Sequence, residues 1–196
     1  MRTYSQGRSR SAVPFVLTAA AMTLALASGR PAAAQTATTS PSESTFAIRA
    51  GGYIPANSRI ETNVGKLFTG AGVDYVMQRN GPLNTTIVSV DYINRESGGR
   101  HLRIIPLTFG QVTYSQSSGT SHTYMMYGAG IYFINQTLPD ANTGFNITQN
   151  QNAYGGYVGA GVTLSQNLFV EGRYHVLTSV GGVNAGGLQV TAGIRF

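Results

Sequence analysis

The closing stretch Leu188-Gln189-Val190-Thr191-Ala192-Gly193-Ile194-Arg195-Phe196 decides how this chain is read. Leu188, Val190, Ala192, Ile194 and Phe196 share one parity; Gln189, Thr191, Gly193 and Arg195 share the other. Side chains of a strand point alternately to its two faces, so this segment is a ribbon with one apolar and one polar side. It ends on an aromatic residue.

Working back from it, eight segments of strand length are separated by turns rich in Gly, Asn and Ser. They span about residues 45–54, 66–78, 85–94, 102–114, 123–134, 154–164, 168–177 and 188–196. The alternation recurs along them. Phe46, Ile48 and Ala50 oppose Arg49; Leu67, Val73, Tyr75 and Met77 oppose Asp74. Val88, Val90 and Tyr92 oppose Ser89 and Asp91; Val170, Gly172 and Tyr174 oppose Glu171, Arg173 and His175. Segments four to six alternate less cleanly. Arg103 and Gln111 mark an inner face for the fourth, although Ile105, Leu107 and Phe109 share it.

The triplets Gly70-Ala71-Gly72, Gly128-Ala129-Gly130 and Gly159-Ala160-Gly161 sit in mid-strand. No helical period follows any of them, so they are not phosphate-binding loops. Their glycines fall on the inward parity, where a narrow eight-stranded barrel is crowded.

The front of the chain reads differently. Residues 1–34 have the pattern of a secretory signal: Arg2, Arg8 and Arg10, an apolar stretch from Phe15 to Ala27, and Ala32-Ala33-Ala34 before Gln35. Residues 35–44, rich in Thr, Ser, Pro and Ala, read as a flexible leader, which leaves 45–196 as the barrel domain.

Setting the signal aside changes the electrostatics. Four of the 13 basic residues lie in it and none of the 7 acidic ones does. Nine cations and seven anions remain, so a formal charge of +6 falls to +2. The basic character belongs mainly to export, and no nucleic-acid partner is expected.

There is no cysteine, hence no disulfide framework. Charged residues make up 10% of the chain, against about 25% in a typical soluble domain. No run of about 18 apolar residues follows the signal, which excludes helical membrane spans. Few charges without a long apolar run favour a transmembrane β-barrel.

From about residue 45 onward the chain resembles the small eight-stranded outer-membrane barrels of the OmpA/OmpX/OmpW/Opa type found in Gram-negative bacteria. The resemblance is carried by the signal, Ile105-Pro106-Leu107-Thr108, the Gly-Ala-Gly strands, Leu168-Phe169-Val170-Glu171-Gly172-Arg173-Tyr174 and terminal Phe196. It implies an all-β, antiparallel, up-and-down transmembrane barrel of eight strands in the cell outer membrane. It also implies that Phe196 is the signal read by the outer-membrane assembly machinery, and that outer-membrane lipid and lipopolysaccharide are the surroundings. Activity is not implied, because this architecture serves adhesins, envelope proteins, narrow pores and lipid-modifying enzymes alike.

With the charged parity turned inward, Arg49, Asp74, Asp91, Arg103, Glu171, Arg173 and Arg195 are expected to form an ionic network inside the barrel, with His175 nearby. Lipid-facing Arg or Lys costs about 2–4 kcal/mol at mid-membrane, and unpaired buried charge is also expensive. The expected result is a plugged lumen and a structural or adhesin-like role carried by external loops. The alternatives are a narrow pore for small or apolar solutes, a lipid A-modifying enzyme, or a soluble lipocalin-like barrel. Lipocalins have a polar exterior, whereas here the charged parity is the minority face. Lipid A deacylases of similar architecture carry a His-x-Ser pair; His175 is followed two residues on by Leu177, and only Thr178 and Ser179 lie close. No catalysis, cofactor or metal site is expected, since His101, His122 and His175 lie in separate segments.

With the amino terminus periplasmic, the outer loops are 55–65, 95–101, 135–152 and 178–187, and the inner turns are 79–84, 115–122 and 165–167. Loop 135–152, rich in Asn and Gln, is the expected contact surface for a ligand. Tyr75, Tyr92, Tyr114 and Tyr174 are expected to face outward as an interfacial girdle.

Overall fold

The computed structural model describes residues 45–115, 121–140, 143–179 and 183–196. The expected signal and leader, 1–44, lie outside them.

Eight antiparallel strands close into a barrel in chain order, each paired with its sequence neighbours. They are β1 (Phe46–Pro55), β2 (Phe68–Arg79), β3 (Asn84–Ser97), β4 (Arg100–Tyr114), β5 (Thr123–Pro139), β6 (Asn146–Thr163), β7 (Leu168–Leu177) and β8 (Gly187–Arg195). One helical turn and a half, α1 (Ser58–Asn63), lies between β1 and β2. The seam joins the first strand to the last, from Ala47 against Arg195 to Pro55 against Gly187. Closure leaves no exposed edge to template aggregation.

Alternation decides what faces out. Ile48, Val73, Val90, Phe109, Met125, Val158 and Ile194 stand exposed on the outer wall. Arg49, Asp91, Glu171 and Arg173 point into the lumen and are buried. The wall is apolar and the charges are inside, the reverse of a water-soluble barrel.

The lumen is filled in layers. At the end carrying Phe46 and Phe196, Ala47, Ile87, Val112, Tyr124, Met126, Tyr157 and Phe169 pack together. At the far end Tyr53, Phe68, Ile93, Leu102, Tyr132 and Ile134 form a second apolar cluster, closed from above by Ile60 and Val64. The charged layer lies between. The polar heart expected from sequence is thus bracketed by two greasy layers.

Four expectations need correction. Segment 135–152 is not a loop: β5 and β6 continue through it, pairing Asn135 with Asn150, Thr137 with Thr148 and Pro139 with Asn146. Its alternating Asn, Gln and Thr side chains bond to their cross-strand equals, as in Gln136 to Gln149 at 3.3 Å and Thr137 to Thr148 at 2.7 Å. Polar composition read as a loop signal because a strand beyond the apolar wall has no greasy face to show.

Segment 95–101 is likewise strand, turned by Gly98 and Gly99 at φ +58° and +72°. Both values lie in the left-handed region that suits glycine in a tight hairpin turn. Segment 55–65 holds α1, whose start is capped by Asn57 Oδ1 accepting from the Arg59 amide at 2.9 Å. Its Ile60 and Val64, spaced four apart, are the two residues that enter the lumen. Finally, Tyr114 points inward against Tyr124, ring centroids 5.4 Å apart, while Tyr75, Tyr92 and Tyr174 do face outward.

Candidate functional site

The central layer of the lumen is the strongest concentration of polar chemistry among the described residues. Arg49 on β1 pairs with Asp74 of β2, with Asp91 of β3 at 2.7 Å, and with Glu171 of β7 at 3.5 Å. Arg173 reaches Asp74 at 2.9 Å and Glu171 at 2.8 Å. Two guanidinium groups are therefore shared among three carboxylates, a formal surplus of one negative charge. Neutral donors offset it. Ser89 donates to Asp74, Tyr124 Oη donates to Glu171 at 3.0 Å, and Gln189 Nε2 donates to Asp91 at 3.0 Å.

A polar chain leads from this layer toward the far end. Gln189 uses its amide nitrogen on Asp91, so its oxygen accepts from His175 Nε2 at 2.9 Å. That order puts the imidazole hydrogen on Nε2, leaving Nδ1 to accept from Tyr132 Oη at 3.1 Å. The ring is wedged among Tyr53, Tyr132 and Tyr157. Both of its nitrogens are engaged, and the Thr178 hydroxyl instead accepts from the Tyr154 amide at 3.1 Å. The His175–Thr178 pairing considered from sequence is not assembled, and Ser179 is exposed.

Of the seven residues expected in the network, Arg49, Asp74, Asp91, Glu171 and Arg173 meet in one cluster. Arg195 is inside the barrel but joins no carboxylate in the ion pairs of the described residues. Its guanidinium lies over Phe169, Tyr124 and Tyr114 at 4.6, 5.2 and 5.5 Å from the ring centroids, and donates to Thr163 Oγ1 at 3.0 Å. Aromatic faces there take the place of a counter-ion.

Arg103 is a correction. It lies on the outer wall, its guanidinium 5.7 Å from the Tyr92 ring centroid. On β4 the inward residues are Leu102, Ile104, Thr108 and Val112, all buried. Ile105, Leu107 and Phe109 form the outward apolar run, with Arg103 and Gln111 at its two ends. A cation at the end of a span costs only about 0–1 kcal/mol, so the apolar run overrules the two polar residues. Gln111 faces outward with it, accepting from Tyr127 Oη at 2.5 Å.

Ser89 and Gln189 fall on the polar parity in sequence but were not expected in the network, and Tyr124 and Tyr132 were not singled out. All four lie on the buried parity of their strands, and burial of a polar side chain was the available signal.

Two packing devices seat this layer. A Cβ on Gly161 would run into the Tyr124 ring, and one on Gly128 would meet the Tyr157 ring. The inward glycines of the Gly-Ala-Gly triplets thus make room for the inward tyrosines, one of which holds Glu171. At the terminal end the vestibule beneath the charges is a cavity of about 40 Å³, lined by Asp74, Glu171, Arg173 and Arg195 among others.

The N-terminal β-barrel domain of OprF from Pseudomonas aeruginosa superposes with a TM-score of 0.53 at 12% identity, over 77% of this chain and 96% of that domain. The fold is that of a small outer-membrane β-barrel. Neisserial surface protein A aligns similarly, with a TM-score of 0.52 at 14% identity over 78% of this chain and 96% of that one. No protein family and no curated protein matches this barrel by sequence. At such identity the likeness concerns the path of the eight strands.

Proposed function

We propose that this chain is an integral outer-membrane protein with a closed lumen, acting at the cell surface through its far end in a structural or adhesin-like role. The observation that carries this reading is the filled interior within an apolar wall. Two packed clusters and an ion-paired layer occupy the lumen where a pore would need water. The exposed Ile, Val, Leu and Phe of the outer wall suit hydrocarbon. Outer-membrane lipid and lipopolysaccharide are its surroundings, and the outer-membrane assembly machinery reads Phe196.

The far end has the larger architecture. β5 and β6 run 17 and 18 residues, well beyond the about 9–11 that a tilted span needs. Their hairpin leans over the opening, with Leu138 in the apolar cluster and Pro139 O accepting from Arg59 Nη2 at 2.6 Å. A stiff, polar, paired hairpin presents a surface at little entropic cost on binding. In place of the loop expected at 135–152, this hairpin is the contact element for a surface ligand.

Epitope insertion on intact cells tests this. A tag between Thr143 and Gly144 is expected to be labelled from outside, and one between Asn80 and Gly81 to be labelled only after the envelope is opened. Planar-bilayer recording of the purified barrel is expected to show no open-channel steps. Regular conductance steps would favour the narrow-pore alternative, and a monodisperse protein in detergent-free buffer would remove the membrane placement.

A further inference from the structure

One basic side chain stands where the apolar outer wall turns polar. On the outward faces of β4, β5 and β6 the register aligns Leu107 with Ile131 and Tyr154, then Ile105 with Phe133 and Asn152, then Arg103 with Asn135 and Asn150. Hydrocarbon-compatible side chains give way to amides and a guanidinium within four residues, about 13 Å along the strand. A groove of about 420 Å³ crosses this boundary, lined by Arg103, Ile105, Phe133, Asn135, Asn150 and Asn152 among others.

The groove is chemically lopsided. Phe133 and Ile105 form its floor on the apolar side. On the polar side the Arg103 guanidinium lies 5.7 Å from the Tyr92 ring centroid and forms no ion pair with a carboxylate of the described residues. The other far-end arginines are each held by a protein acceptor: Arg59 by Pro139 O, Arg95 by Leu67 O and Arg100 by Asn63 Oδ1. Asn135 is held between His101 and Asn150, which leaves the Asn150 and Asn152 amide nitrogens as donors beside the guanidinium.

We infer that this groove binds the phosphorylated headgroup of an outer-leaflet lipid, with the phosphate on Arg103 and an acyl chain along Ile105 and Phe133. A guanidinium presents a planar N–H fork whose bidentate geometry phosphate oxygens accept. The amides of Asn150 and Asn152 add neutral donors to the same anion. A free phosphate would use the polar half alone and leave Phe133, 43% exposed, uncovered. The inference rests on the membrane placement proposed above.

Lipid retention tests it. The full chain is folded into vesicles of equimolar phosphatidic acid and phosphatidylcholine, extracted in mild detergent, and its retained lipid is counted by native mass spectrometry. Wild-type protein is expected to retain phosphatidic acid about fivefold over phosphatidylcholine, the range for a charge-assisted contact at a half-exposed site. Arg103→Gln is expected to bring the ratio close to one, Arg103→Lys to restore part of it, and Arg59→Gln to leave it unchanged. The same ratio in wild type and Arg103→Gln overturns the site. Displacement of the retained lipid by millimolar inorganic phosphate alone overturns the lipid assignment in favour of a free anion. Heat-dependent gel mobility of the same vesicles separates the two readings: a barrel that inserts without lipid preference defeats only this inference, whereas one that does not insert defeats both.

Discussion

Arg49 of β1 and Asp91 of β3, 42 positions apart in the chain, face each other inside the barrel with Nη2 2.7 Å from Oδ2. Neither is on the other's neighbouring strand, so the contact spans β2 at Gly72. A Cβ on Gly72 would sit on the Asp91 carboxylate. The inward glycine clears the line between the two charges.

Removing Arg49 leaves Arg173 alone among three buried carboxylates. Arg49→Met is expected to destabilise the barrel by about 3–5 kcal/mol, because breaking a buried ion pair strands its partners. Urea unfolding from lipid vesicles, followed by gel mobility, measures the loss. Arg103→Met on the outer wall is expected to change the same midpoint little.

Gly161 and Tyr124 form a matched pair. Gly161→Ala is expected to cost about 1–3 kcal/mol by overpacking against the tyrosine ring. In a Tyr124→Ala background the same substitution is expected to cost much less. A double-mutant cycle reads the coupling, and additive costs would show that the glycine serves some other purpose.

Ile60 closes the far-end cluster and is wholly buried. Ile60→Ala is expected to lower stability by about 2–4 kcal/mol, within the range for truncating a buried isoleucine. Conductance is expected to stay absent, since the ionic layer beneath remains intact. Channel steps in this variant would make α1 the only seal.

Phe196 contributes backbone rather than ring to the seam. Its carbonyl accepts from the Thr45 amide at 2.7 Å and its amide donates to Phe46 O at 2.8 Å, while its side chain is 62% exposed. Phe196→Ala is therefore expected to leave the unfolding midpoint of the refolded barrel nearly unchanged. Its yield in the outer membrane of cells is expected to fall severalfold, which immunoblotting of membrane fractions measures.

Much of the architecture is legible in the sequence alone. The seventh segment, 168–177, coincides with β7, and the inward parity of Arg49, Asp74, Asp91, Glu171 and Arg173 follows from alternation alone. Illegibility began where the pattern changed its meaning. Strands β3 to β6 continue past the apolar wall, where both faces are polar and a strand looks like a loop. In β4 Arg103 and Gln111 share one parity with Ile105, Leu107 and Phe109, so alternation alone leaves the inner face of that strand undecided.

Alternation with a period of two determined the strands and which residues share a face, because both depend on near neighbours in the chain, while the up-and-down order was implied by the family resemblance. Closure decided the rest. Which carboxylate Arg49 meets and whether Arg195 finds an acid or an aromatic cage depend on the stagger with which β8 returns to β1. That stagger is a property of the whole ring, and it brings together side chains more than 100 positions apart in the chain, as Arg49 and Glu171 are.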